Sequence, residues 1–308
     1  MAAKQPGVTV RVPAKVNLCL NVGPTDGDGY HQLATVFHAV DLTDDVTVRP
    51  SRHWECTITG PYADKVPTGH ANLAMRVAQR LADECYEAGP VSMTIDKSIP
   101  VAGGMAGGSA DAAAAMIAVD QLFNLQLTKL DFTDLAAEIG SDVPFALTGG
   151  TAFGSGRGDQ LAPVLTTGRY EWVFALHHEG LSTPKVYAEF DRLNAHRKIG
   201  FPQVPGELLA ALRSGDPREL AGALSNDLQE AAVSLMPRLQ DTIDTGLAEG
   251  ALGAIVSGSG PTVAFLTADR SAALDLMVAL TASGVADDVV SASGPHPGAR
   301  VISTIRPV

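Results

Sequence analysis

A chain of 308 residues, 45% hydrophobic and 18% charged, is long enough to bury a large core and to divide into two domains. Its formal net charge of −12 argues against a nucleic acid or an anionic membrane as partner, because both demand a basic footprint. Cys19, Cys56 and Cys85 are unclustered and the eight histidines show no ligand spacing, which excludes a disulfide framework and a zinc site and fits reduced thiols in the cytoplasm.

The N-terminal residues carry no apolar signal core, and no apolar run is long enough to span a bilayer. Residues 8–12 alternate as a strand, and residues 16–22 resume the pattern after Pro13. Further strands are expected over 35–40, 45–49 and 55–59. Residues 72–85 carry Leu73, Val77 and Leu81 on one face and read as a helix capped by Asn72. A strand over 91–95 leads into a glycine-rich loop. Helices are expected from about 111 to 123 and over 132–139, the second ended by Gly140. Residues 149–158 are turn-rich. A strand over 172–176 opens a second set, with helices over 184–193, 205–212 and 217–224 and a longer one over 227–247. Short strands over 254–256 and 262–266 flank Ser257-Gly258-Ser259-Gly260-Pro261. A helix over 270–281 and a strand near 300–303 close the chain. The pattern is α+β in two domains, 1–164 and 165–308, with no internal repeat.

The loop is Pro100-Val101-Ala102-Gly103-Gly104-Met105-Ala106-Gly107-Gly108-Ser109-Ala110-Asp111, running into an alanine-rich helix. Its glycines let the backbone approach an anion and adopt positive φ, and its N–H groups then converge at the positive end of a helix. Such a loop cradles phosphate. Ser109 and Asp111 are N-cap residue types. The alternative is a flexible linker, which seldom ends at so well capped a helix. No Gly-Lys-Ser/Thr and no Gly-x-Gly-x-x-Gly occurs, so neither a Walker A loop nor a dinucleotide fingerprint is present.

Four further constellations combine with this cradle. In Pro13-Ala14-Lys15-Val16-Asn17-Leu18, Lys15 and Asn17 share one side of an apolar strand, where Lys15 either faces a partner or snorkels to water. In Gly140-Ser141-Asp142-Val143-Pro144-Phe145, Asp142 reads as a helix cap, as a general base, or as both. Asp28-Gly29-Tyr30-His31 sets an aromatic and a histidine on a loop, suited to stacking on a base and reading its edge, or forms an ordinary surface turn. Ser182-Thr183-Pro184-Lys185-Val186-Tyr187 places a hydroxyl, a cation and an aromatic around a helix start.

Together with Asn72-Leu73-Ala74, Lys97-Ser98-Ile99-Pro100, Gly149-Gly150-Thr151-Ala152 and Ser257-Gly258-Ser259-Gly260-Pro261-Thr262, these segments in this order resemble the GHMP small-molecule kinases. The resemblance covers almost the whole chain. It implies a two-domain α+β fold with the active site in the interdomain cleft, ATP and Mg²⁺ as cofactors, and a small-molecule alcohol as acceptor, with no obligate protein partner. ATP would lie on residues Pro100 to Asp111, with Asn72 and Lys97 toward the adenine. Asp142 and Lys15 would be catalytic. The Gly-Tyr-His and Gly-Ser-Asp-Val-Pro-Phe segments point, within the family, to 4-diphosphocytidyl-2-C-methyl-D-erythritol as acceptor. Asn17 and Thr183 would hold its polyol, and Tyr30, His31 and Tyr187 its cytosine. Mevalonate- or homoserine-type acceptors, or a silent nucleotide sensor, are the rival expectations. The loop departs from the usual pattern at Met105-Ala106, commonly Leu-Gly, and at Ala110, commonly serine, which leaves Ser109 as its only hydroxyl for phosphate or metal. Tyr187 stands where some members carry phenylalanine.

Overall fold

Two long strands open the chain, β1 (Gly7–Thr25) and β2 (His31–Pro50), paired antiparallel along most of their length. The sequence led us to expect two strands on either side of Pro13; the strand is continuous. Pro13 lacks an N–H for the ladder, and the register shifts between Pro13 and Ala14 without ending the strand. The structure is a computed structural model, and it describes residues 6–27, 29–101 and 103–305. Asp28 and Ala102, both in the motifs above, lie outside these residues.

The remaining elements follow in order: β3 (Glu55–Thr59), α1 (Leu73–Glu84), β4 (Val91–Asp96), α2 (Gly107–Phe123), α3 (Lys129–Ile139), α4 (Val143–Thr148), β5 (Thr151–Ser155) and β6 (Gln160–Pro163). Beyond them come β7 (Tyr170–Leu176), α5 (Thr183–Asn194), α6 (Gly206–Ser214), α7 (Pro217–Gly222), β8 (Ser225–Asn226), α8 (Gln229–Leu235) and α9 (Arg238–Ala248). The chain ends with β9 (Gly253–Val256), β10 (Val263–Thr267), α10 (Arg270–Ser283), β11 (Asp288–Gly294) and β12 (Arg300–Ile305).

The first sheet runs β12-β1-β2-β4-β3, with β5 on β2, β6 on β5 and the short β8 parallel to β1. The second runs β11-β7-β10-β9. Both faces of the second sheet are buried: Trp172, Phe174 and Leu266 join the core of the first sheet, whereas Val173, Val263 and Phe265 pack under Phe190, Leu239 and Leu276 of the later helices. That two-sided burial explains the unbroken apolar run over residues 172–176 of β7. Helix α2 is apolar nearly all round, because Ala112, Ala113, Ala114 and Ala115 are all fully buried. Small side chains let it pass between the sheet and its neighbouring helices. No helix of the described residues is long and apolar enough to cross a membrane.

Four local differences from the sequence reading have physical causes. The expected helix over 227–247 is two, α8 and α9, because Pro237 has no N–H and clashes with the preceding turn. The turn-rich stretch at 149–158 holds β5, and α4 is a further element, with Pro144 in its first turn. Strand β11 was not foreseen, since its Ser-Ala-Ser-Gly end lacks an alternating apolar signal. Helix α2 starts at Gly107, four residues early, behind Ala106 at φ 60°. Ser109 and Asp111 therefore lie inside the helix and do not cap it.

Candidate active site

A cleft of about 890 Å³ lies where the two sheets and their loops meet, lined by parts of β1, β2, the glycine loop, the α3–α4 turn, α5 and the 258–259 turn. Its floor is built around Lys15. Nζ of this buried lysine donates to Asn17 Oδ1 at 2.6 Å and stands 4.0 Å from Asp142 Oδ2. The period-2 spacing does place both side chains together, as β1 requires. Asn17 Nδ2 donates to Thr35 Oγ1 at 2.8 Å, and that hydroxyl donates to Cys19 O at 2.7 Å. The relay fixes which end of the amide faces Lys15. Burial lowers the Lys15 pKa against the opposing pull of Asp142.

Asp142 precedes α4 in a helical backbone conformation, φ −88° and ψ −10°, and makes no side-chain capping bond. The cap reading thus does not hold. The carboxylate is partly exposed in the cleft wall, beside Ser141 and Gly140.

On the opposite side the glycine loop delivers the chain into α2. Lys15 N donates to Met105 O at 3.3 Å, and the first intrahelical bond is Ala110 N to Ala106 O. The amides of Gly107, Gly108 and Ser109 in the first turn have no intrahelical acceptor, and all three residues line the cleft. Amides left without an acceptor at the positive end of a helix are suited to an anion. A Cβ on Gly104, at φ +75°, would lie 2.0 Å from Ser257 O, so glycine is required where the two turns meet. Pro100, Gly103, Gly104 and Ala106 also line the cleft; Met105 and Ala110 are buried behind it.

Lys97 and Asp111 sit beneath this loop. Lys97 Nζ donates to Asp44 Oδ2 at 2.5 Å and to Asp111 Oδ2 at 2.7 Å, and Asp44 Oδ1 accepts from the amides of Ser98 and Ile99. Burial opposes the Lys97 charge, but Asp111 and Asp44 outweigh it and leave its pKa raised. Burial also raises the Asp111 carboxyl well above the ordinary carboxylate range, against the pull of Lys97. Asn72 caps α1, accepting from Ala74 N and Met75 N and donating to Pro67 O. The side chains of Asn72, Lys97 and Asp111 are committed to protein groups, and none of the three, nor Val101, is part of the cleft lining. Asp44 was missed by sequence reasoning because it falls in the acid-rich stretch 41–45 at the junction of two expected strands, which reads as solvated, whereas β2 runs straight through it.

At the far end His31 stacks on Tyr187, with ring centroids 5.4 Å apart and planes 24° apart. His31 Nδ1 lies 2.7 Å from Gly23 O, and Nε2 lies 3.2 Å from Asp191 Oδ1. Tyr30 is more than half exposed, with the Arg157 guanidinium 4.0 Å from its ring centroid. Thr183 Oγ1 and Ser259 Oγ share a hydrogen bond of 2.8 Å. The structure therefore brings Lys15, Asn17, Tyr30, His31, Asp142, Thr183 and Tyr187 to one cleft, and adds Thr35, Arg157 and Asp191, which no local pattern assigns to a site. Glu138, Asp142, Asp159 and Asp191 also line it, so backbone amides and a few placed cations must meet any anionic ligand.

A cleft lined by both the acceptor-free amides of a helix start and a lysine–carboxylate pair is chemically suited to phosphoryl transfer. Residues 72–150 match the GHMP kinases N terminal domain and residues 208–286 the GHMP kinases C terminal domain. The chain belongs to the GHMP kinases, ATP-binding enzymes that phosphorylate small molecules. It is 54% identical over 96% of its length to the 4-diphosphocytidyl-2-C-methyl-D-erythritol kinase of Mycolicibacterium smegmatis, covering 92% of that protein. A crystal structure of 4-(cytidine 5'-diphospho)-2C-methyl-D-erythritol kinase superposes with TM-score 0.76 at 31% identity, covering 92% of this chain and 98% of that one. The fold alone is shared with L. major mevalonate kinase, TM-score 0.73 at 16% identity, over 93% of this chain and 95% of that one.

Proposed function

We propose that the chain transfers the γ-phosphoryl group of ATP to the 2-hydroxyl of 4-diphosphocytidyl-2-C-methyl-D-erythritol, a step of non-mevalonate isoprenoid precursor synthesis. The observation that carries this reading is the order of groups along one cleft: phosphate cradle, then Lys15 and Asp142, then the His31–Tyr187 stack. The similarity to kinases named for this acceptor supports it.

Phosphoryl transfer passes through a loose transition state, so positioning and charge neutralisation supply most of the acceleration. The amides of residues 107–109 hold the phosphates being transferred from. Lys15, oriented by Asn17, meets the charge that shifts toward the bridging oxygens. Asp142 aligns the acceptor hydroxyl and takes its proton. The alcohol is tertiary and weakly acidic, which favours late proton transfer. Thr183 contacts the polyol, and Tyr30, His31 and Tyr187 hold the cytosine by stacking and by its edge.

A magnesium ion fits this site as a companion of the nucleotide and not as a resident metal. The described residues hold no cluster of three or more metal-ligating side chains, whereas Mg²⁺ in kinases is bound largely through phosphates and water. Ser109, which lines the cleft, is the loop residue that would reach it. When bound, the ion neutralises phosphate charge.

A coupled ADP-release assay with the cytidyl acceptor, mevalonate and homoserine tests the assignment. Turnover is expected with the first alone. Comparable kcat/KM with mevalonate or homoserine would overturn the acceptor, and nucleotide binding without turnover on any of the three would make the protein a sensor.

A further inference from the structure

The turn over residues 257–262 touches the Lys15–Asn17 pair, the glycine loop and Thr183. A Cβ on Gly258 would stand 3.4 Å from Lys15 Nζ and 3.5 Å from Asn17 Oδ1, so its backbone packs directly on that pair. Ser257 donates its hydroxyl to Gly104 O at 3.1 Å, and a Cβ on Gly103 would meet Thr262 Oγ1 at 2.5 Å. Ser259 reaches Thr183 on the acceptor side. The turn is closed on itself by Ser257 N to Thr262 O and Gly260 N to Ser257 O, both at 2.9 Å, but these bonds set its shape and not its place against β1, which needs a contact from outside the turn.

Asn226 is placed to impose it. Its Nδ2 donates to two carbonyls that bracket the start of the turn, Val256 O at 2.8 Å and Gly258 O at 2.7 Å, while Oδ1 accepts from Leu228 N at 2.9 Å. The backbone of the same residue is pinned to β1, where Asn226 pairs with Leu20 and the next amide, Asp227 N, donates to Leu20 O at 2.9 Å. Asp227 adds a second fastening, accepting from Val22 N at 2.8 Å. Strand β1 carries Lys15 and Asn17. One carboxamide therefore links the strand bearing the central lysine to the turn that covers it.

We propose that Asn226 is a positioning residue that sets the 257–262 turn in register against Lys15, Asn17 and the glycine loop, and so holds the nucleotide and acceptor halves of the cleft together. The inference rests on the cleft being the kinase site and is independent of which alcohol is phosphorylated. Asn226 itself is not part of the cleft lining, so its effect must travel through Gly258 and Ser257.

Asn226→Asp keeps the size, removes both donors and sets a carboxylate against two carbonyl oxygens; Asn226→Ala removes the donors without the charge. Amide exchange within residues 256–262 should rise about tenfold or more in either folded variant while the β7 core stays protected, as expected for a locally released segment. Affinity for a fluorescent ATP analogue should weaken about fivefold, and kcat should fall further than acceptor KM rises. Exchange and nucleotide affinity within about twofold of wild type would overturn the proposal, as would a rise in exchange spread evenly over the chain. Nucleotide affinity needs no acceptor, so a wrong acceptor assignment leaves this test intact.

Discussion

Two buried lysines, Lys15 and Lys97, stand on either side of the glycine loop and have opposite surroundings. Lys97 is sealed at 1% exposure and divides its charge between Asp44 and Asp111 at hydrogen-bond distance. Lys15 is nearly as buried but, among the described residues, hydrogen-bonds only an amide oxygen, with its carboxylate partner 4.0 Å away and an open cleft beyond. A cation sealed from solvent and neutralised by two carboxylates of the protein itself can hold structure. One left under-neutralised beside a cleft retains the capacity to meet incoming negative charge. Strand placement does not tell them apart, since Lys15 lies within β1 and Lys97 directly follows β4, whereas the nearby acceptors do.

Breaking the Lys15 side of this contrast should have the largest effect. Asp142→Asn keeps the shape and removes the proton acceptor, so kcat should fall by about 10²–10⁴-fold, with KM for ATP and acceptor little changed. Turnover within about threefold of wild type in a single-turnover experiment would remove Asp142 from the chemistry. Because Asp142 makes no capping bond, the melting temperature should hardly move.

Breaking the Lys97 side should instead cost stability. Lys97→Met leaves two buried carboxylates without their cation, and unfolding free energy should drop by about 3–5 kcal/mol. Adding Asp111→Asn should recover part of that loss by removing one of the two charges. A Lys97→Met protein of unchanged stability but weakened ATP affinity would show that the side chain serves the nucleotide, the role expected from the sequence.

A smaller effect belongs to the aromatic end. Stacking on a base contributes about 1–3 kcal/mol, so Tyr187→Ala should raise acceptor KM by roughly 5- to 150-fold. ATP affinity should not change. Equal loss for both substrates would mean that Tyr187 supports the cleft and does not touch the base.

The features that the sequence made legible are those that demand a residue type locally. The glycine loop needs backbone freedom, the Lys15–Asn17 pair follows strand period, and the Asn72 cap is written in residues 72–75. Partnerships across the fold were not legible. Asp44 meets Lys97 across 53 positions and His31 meets Asp191 across 160, and no local pattern announces either. The start of α2 was obscured because Ala106 adopts φ 60°, a conformation for which alanine has no preference, so the capping signal fell on Ser109 and Asp111 instead.

The finest test compares the protonation of the two lysines directly. Burial lowers the pKa of Lys15 from 10.5, whereas Asp111 and Asp44 overcome burial and raise that of Lys97. Raising pH should therefore neutralise Lys15 first, and the alkaline limb of kcat should follow it, because a neutral amine no longer offsets transferred negative charge. Carbon-13 NMR of labelled lysine reads both groups without turnover. In Asp142→Asn the attraction that favours the ammonium form of Lys15 is gone, so its titration should move further down while that of Lys97 stays in place. If Lys15 titrated at or above Lys97, or ignored the loss of Asp142, the two lysines would share one electrostatic role and the distinction between a structural and a working cation would fail.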